Sequence, residues 1–336
     1  MKKNISPVII ILAGILAFGA AKAQSKELYV FDKRISLPGN AGYDYLNIDK
    51  INNLLFVSHG NSVNVVDLAT ELPVGTIDSM QGVHGIAIAT GSGKGFISDG
   101  RANSIVVFDV KTLKKITTIA ISGKGPDAIM YDPWSKKILS FNGESSSATV
   151  IDPQTNAETG TVTLPGGPEF GVSDTKGKIY NNIEDKNSMV VIDAKSLKVV
   201  EAWPLAPCGT PTGLAIDLLN HRLFTGCRAN KGMSVLDAKS GKLITTLPIG
   251  GGVDAVAYDA ATKLIFCSCG DGTTTIIEQV SADEYHVVQT LATEVRAKTM
   301  ALDPLTHKIY LSVAKFEAGS RTPVPGSFAL LVYKMQ

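Results

Sequence analysis

The sequence predicts an all-β fold, a seven-bladed β-propeller of four-stranded antiparallel blades, on three observations. Its apolar runs are only four to six residues long and are bounded by Gly, Asn, Asp or Pro, a pattern of strands and too brief for helices. One unit recurs seven times, with starts 40 to 44 residues apart. Three landmarks inside the unit keep register together, and self-similarity at this period is what propeller blades produce.

The unit is plainest at 211–247. An apolar run at 213–216 ends at Asp217, and the turn LLNH leads into 223–226. The loop CRANKG leads into 234–236, which ends at Asp237, and the turn AKSG leads into 243–247. The first strand recurs as YDYLNID, VHGIAIA, PDAIMYD, PEFGVSD, PTGLAID, VDAVAYD and AKTMALD. The second recurs as LLFVSH, GFISD, ILSFN, KIYNN, RLFTG, LIFCS and KIYLS. The third ends at Asp67, Asp109, Asp152, Asp193, Asp237 and, in the sixth unit, Glu278. The seventh unit stops after its third strand at 329–333, and the missing fourth is supplied by 27–38, which closes the ring and hides both sheet edges.

The amino end reads as a secretory signal peptide, residues 1–23: Lys2 and Lys3, an apolar run from 7 to 20, then Ala21-Lys22-Ala23 before the cleavage point. Residues 24–336 are expected to form one monomeric domain, periplasmic or secreted, with no membrane span after cleavage. Removal of the three leading lysines takes the formal charge from +1 to −2. A near-neutral chain has no general electrostatic footprint for nucleic acid. Arg101, Arg228, Arg296 and Arg321 are spread over different units without stacking aromatics, so single strands are not an expected partner either.

Two repeated carboxylates are scaffold. Asp67, Asp109, Asp152, Asp193 and Asp237 end third strands, and Asp49, Asp132, Asp217, Asp259 and Asp303 end first strands. In both places a short acidic side chain caps the following turn. The turn TGSGKG at 90–95 lacks the phosphate-loop spacing and precedes a strand instead of a helix. Metalloprotease, nucleophile-elbow, CxxC and EF-hand patterns are absent.

The repeat, at its clearest in ANSIVVFDVKTLKKITTIAISGKGPDAIMYDP (102–133), resembles the YVTN-type repeat of the YncE-like family. The resemblance extends over the whole mature chain and implies a seven-bladed ring and export. Members have varied roles, so it implies no reaction, and function has to be argued from the site. The sixth unit departs from the repeat at ADEYHVVQTL, and the seventh at KFEAGSRTPVPGS, each with a lengthened loop.

Superposed units place one residue each at the channel mouth, on the face of the loops that enter the first strands: Asp44, His84, Asp127, Glu169, Thr212, Asp254 and Lys298. Loops after the second strand add His59, Asp99, Asn142, Ile183, Cys227, Cys269 and Val313, with Arg101, Glu144, Arg228, Asp271 and Arg296 close in sequence. Such residues can bridge blades around a water-filled channel or hold a ligand. Four carboxylates against one lysine favour a cation. The ligand-site candidates are His59, His84, Asp127, Glu169, Arg228, Asp254 and Arg296. His59 and His84 could share a metal or act as acid and base, but spacing places no third ligand, so no metal is assigned.

The expected role is a binding or interaction module for a small ligand or a protein partner, with no catalytic residue and no cofactor assigned. The alternative is a propeller enzyme of lyase, lactonase or quinoprotein-dehydrogenase type, for which only His84 and Glu169 offer suitable side chains. Cys208 precedes a first strand and Cys227 follows its paired second strand, so a Cys208–Cys227 disulfide is expected. Cys267 and Cys269, two apart on one strand, are poorly placed to bridge each other.

Overall fold

In a computed structural model, the chain is described at Met1, residues 27–320 and residues 322–336. The expected signal peptide, apart from Met1, and Arg321 lie outside the described residues. Among these residues no helix is long and apolar enough to cross a membrane.

Seven four-stranded antiparallel sheets follow one another, each in simple up-and-down order. Blade 1 holds Tyr43–Asp49, Leu54–His59, Ser62–Asp67 and Leu72–Ile77. Blade 5 holds Pro211–Asp217, Arg222–Cys227, Gly232–Asp237 and Leu243–Pro248. Blade 7 combines Met300–Leu302, Ile309–Val313 and Ala329–Met335 with the amino-terminal strand Tyr29–Ser36, which pairs from Tyr29↔Met335 to Ser36↔Ala329. The expected ring closure is therefore present.

Packing follows from the repeat. A single blade has two apolar faces and must cover both with neighbours. Seven buried clusters result, one at each blade interface. Phe56 and Val65 meet Val106 and Phe108 between blades 1 and 2, and Leu55 and Val57 meet Tyr310 and Leu330 between blades 1 and 7. The last of these interfaces exists only because the ring closes.

The repeated carboxylates are caps. Asp67 accepts the Thr70 backbone N–H at 2.7 Å, and Asp109, Asp193 and Asp237 repeat the arrangement with Thr112, Ser196 and Ser240. The first-strand carboxylates are buried, and three of them also tie blades together. Ser173 donates to Asp132 at 2.6 Å, Gln279 donates to Asp217 at 2.9 Å, and His307 Nδ1 lies 2.6 Å from Asp259.

One irregularity positions the mouth. In blades 1 to 6 the register between first and second strands slips near the start of the first strand, for example between Tyr43 and Leu46 and between Pro126 and Ile129. A bulge inserts a residue without a partner and re-aims its side chain. The slipped residues are those the repeats align at the mouth.

Candidate cation site at the channel mouth

The innermost strands bring the ring residues together in two groups. On one side, Asp254 is 5% exposed and bonds to both Arg228 and Lys298. Arg228 also bonds to Glu184 at 3.0 Å and donates Nε–H to the Val253 carbonyl at 3.2 Å. Burial works most strongly against both cationic charges, and Asp254, joined by Glu184 and Glu169 at Arg228 and by Asp44 at Lys298, more than offsets it, so both side chains hold their protons above the ordinary range. This half of the mouth neutralises itself.

The other half does not. His84 Nδ1 lies 2.7 Å from Asp44 Oδ2 and 3.4 Å from Asp127 Oδ1. The bond to Asp44 holds the imidazolium proton more firmly than water does, against the opposing effect of burial. The single Nδ1 position is directed at Asp44, and Asp127 Oδ1 is inaccessible to solvent and has no hydrogen-bond partner. Burial, then the Asp44 charge, pushes the Asp127 carboxyl up to about 7. Burial, then Asp127 and Glu184, pushes the Glu169 carboxyl up to about 9. Among the described residues no lysine or arginine forms an ion pair with Asp44, Asp127 or Glu169.

A cleft of about 460 Å³ opens beside His84 between blades 1 and 2, lined by Asp44, Asn61, Gln81 and Arg101 among others. An aromatic contact crosses the channel below the ring. Tyr45 of blade 1 and Phe170 of blade 4 meet edge to face with centroids 4.7 Å apart. These blades are not neighbours, so their side chains can touch only across the axis. The mouth is a cup with a polar rim above an aromatic contact that spans the axis.

Two predicted residues lie apart from this group. His59 is 2% exposed, stacks on Phe328 at 4.1 Å, and accepts the Ala41 N–H on Nε2 at 3.0 Å. Burial lowers its affinity for a proton. Arg296 lies over the Phe316 ring at 3.9 Å and lines a separate cleft of about 350 Å³ with Lys298 and Tyr43. Thr212 is fully buried and donates to the Val253 carbonyl at 3.0 Å.

The sequence reading passed over a set of small polar residues one position before the end of the second strand. Ser98 donates to the Asp127 carbonyl at 2.5 Å, Asn182 to the Thr212 carbonyl at 2.8 Å, and Ser268 to the Lys298 carbonyl at 2.5 Å. In each case one blade grips the ring residue of the next. Ser58 accepts the Asp44 N–H within its own blade at 2.9 Å. The available signal was the recurrent S or N in VSH, ISD, NNI, CSC and LSV.

The Cys208–Cys227 disulfide is present, with Cα atoms 5.0 Å apart, and both residues are buried between blades 4 and 5. Cys267 and Cys269 are free, and burial drives both thiols up, Cys269 to about 12. A thiol so protonated is a poor nucleophile and a poor metal ligand. Replacing Cys208 and Cys227 by serine is expected to destabilise the fold by about 3 kcal/mol in the loop-entropy account, read as a lower urea midpoint. The unreduced native protein should show no thiol reactive to Ellman's reagent, and the unfolded protein two.

No protein-family model matches the chain. Over 182 residues it is 22% identical to Antigen Lp49 of Leptospira interrogans serogroup Icterohaemorrhagiae serovar copenhageni, a stretch covering 52% of this chain and 40% of that protein. The chain thus matches well under half the length of this relative. Among solved structures it is similar to Kuenenia stuttgartiensis hydrazine synthase, with TM-score 0.70 and 16% identity over 82% of this chain and 92% of that one. It is also similar to a chain of the mitotic checkpoint complex, with TM-score 0.76 and 15% identity over 97% and 98%. At these identities the likeness shows the propeller fold alone.

Proposed function

We propose that this chain is an exported binding module whose ligand is a cation, or a group bearing one, seated in the cup formed by Asp44, His84, Asp127 and Glu169. The observation that carries the reading is the unequal division of charge around the mouth. Arg228 and Lys298 are both spent on Asp254, while among the described residues Asp44, Asp127 and Glu169 on the facing blades have no lysine or arginine partner and share only His84. Crowded carboxylates keep protons that an incoming cation would displace. The aromatic contact of Tyr45 and Phe170 beneath the cup suits a site that holds a ligand. Export rests on residues 1–23 and agrees with a buried disulfide, which persists in oxidising compartments. The kinship to YncE-like repeat proteins rests on the repeat residues.

The test is calorimetric titration of the mature protein with spermidine, tetramethylammonium and divalent chlorides, against sulfate and citrate. At least one cation should bind, and the Asp127→Asn, Glu169→Gln double variant should lose about tenfold or more in affinity, the loss of two charge-assisted contacts. Tighter binding of the anions, or unchanged cation binding by the double variant, would sink the reading.

A further inference from the structure

Deepening that reading, on which it rests, we infer that Asp44, His84 and Asp127 bind a single first-row divalent metal ion whose open coordination positions face the cleft between blades 1 and 2. One ligand atom from each of the three residues lies within 4.8 Å of the other two. They come from three different blades, so no local turn or helix end accounts for their convergence. Two metal–ligand bonds of ~2.1 Å, opened by 90–110°, hold their donor atoms about 3.0–3.5 Å apart. The His84 Nδ1 to Asp127 Oδ1 distance of 3.4 Å already fits, and the 2.7 Å to Asp44 Oδ2 needs only a few tenths of an ångström of widening.

The second observation is the orphaned oxygen. Asp127 Oδ1 is inaccessible to solvent, has no hydrogen-bond partner, and lies 3.4 Å from His84 Nδ1. A buried acceptor without a donor is costly unless something fills the place. A metal ion bonded to it, with the His84 proton displaced so that Nδ1 donates its lone pair, fills that place. One imidazole with two carboxylates suits Zn²⁺, Mn²⁺ or Fe²⁺ better than the all-oxygen preference of Ca²⁺.

The support around the donors is built in. Ser98 is fully buried, accepts the Gly85 N–H at 2.7 Å and donates to the Asp127 carbonyl at 2.5 Å, joining the backbones on which His84 and Asp127 are carried. Ser58 accepts the Asp44 N–H at 2.9 Å within its own blade. The far edge of the imidazole lies against Gly100, where an added Cβ would come 2.8 Å from His84 Cδ2. The cleft of about 460 Å³ on the open side leaves room for water or an additional ligand.

The experiment uses the mature chain stripped with EDTA and titrated with ZnCl2, MnCl2 and CaCl2, with the histidine side-chain NMR signals followed alongside. One Zn²⁺ or Mn²⁺ should bind per chain, more tightly than Ca²⁺, and Mn²⁺ should broaden the His84 resonance first. Asp44→Asn, Asp127→Asn and His84→Ala should each remove the site, while Glu169→Gln keeps it. Ser98→Ala, which retains all three donors, should weaken binding about tenfold, as loss of a positioning bond does. Circular dichroism confirms that each variant folds, and the near-isosteric Asp→Asn changes stand in should His84→Ala fail to. Undiminished Zn²⁺ binding in Asp127→Asn would overturn the assignment. Binding of spermidine or tetramethylammonium without any divalent metal would overturn the metal site and leave the cation cup standing. Binding of neither would remove both.

Discussion

Tyr29→Ala is expected to destabilise the protein by about 3–5 kcal/mol, the range for emptying a large buried aromatic site. Tyr29 is fully buried, and its ring meets Phe266 edge to face at 5.1 Å. Its hydroxyl donates to the His307 carbonyl at 2.7 Å. Gln289 of blade 6 clasps its backbone, accepting the Tyr29 N–H and donating to its carbonyl, both at 2.8 Å. One residue thus joins the closing strand to blades 6 and 7. Urea unfolding followed by circular dichroism measures the loss, and a change below 1 kcal/mol would show that closure does not depend on this anchor.

The same argument predicts the behaviour of a chain begun at Leu37. It leaves the edge of Ala329–Met335 unpaired and uncovers one side of two apolar clusters. An exposed, apolar strand edge pairs with other chains. The truncated protein should associate on size-exclusion chromatography, and a synthetic peptide of residues 27–38 should return it to a monomer.

The second large effect concerns pH. In the metal-free protein, stability should fall as pH rises from about 6 to about 9. The sign follows from linkage, since stability declines wherever the folded state holds more protons than the unfolded one. Glu169, raised to about 9, and Asp127, raised to about 7, hold protons in the fold that they release in the unfolded chain. His84, whose proton affinity is also raised, contributes stability that is complete below its unfolded pKa and lost as pH passes its folded one. All three act in one direction. Glu169→Gln should therefore flatten the decline between pH 7 and 9 and raise Tm at pH 9 by several degrees in differential scanning calorimetry. A Tm that climbs over this interval would contradict the arrangement. The surface caps act oppositely: Asp67 and Asp193, held below the usual carboxylate range by bonds from Thr70 and Ser196, lose their contribution only as pH falls through the acid range.

The fold was legible because a blade repeats and a repeat announces its own register. The strand 243–247, for example, was placed to within a residue of the observed Leu243–Pro248. The ring was legible as a set of positions, since alignment says which residue each blade presents. It could not say how side chains would pair. That Arg228 and Lys298 converge on Asp254, leaving Asp127 to His84, depends on rotamers chosen across blades. His59 and Arg296 show the limit most clearly. Both pack on the lengthened loop of blade 7, His59 on Phe328 and Arg296 on Phe316. That loop has no counterpart in the other blades, so superposing repeats had no means to place them. Tyr45 and Phe170 were missed for a related reason. Each follows a ring residue and reads as core, and only ring geometry turns the two toward each other.

Their contact has a further consequence. An occupant of the cup meets the Tyr45–Phe170 pair beneath it and leaves most readily by the way it arrived. Exchange is therefore governed chiefly by one doorway, and any macromolecule settling over the rim would hold back whatever lies below. Capture and release then become properties of what stands at that doorway as much as of the groups inside.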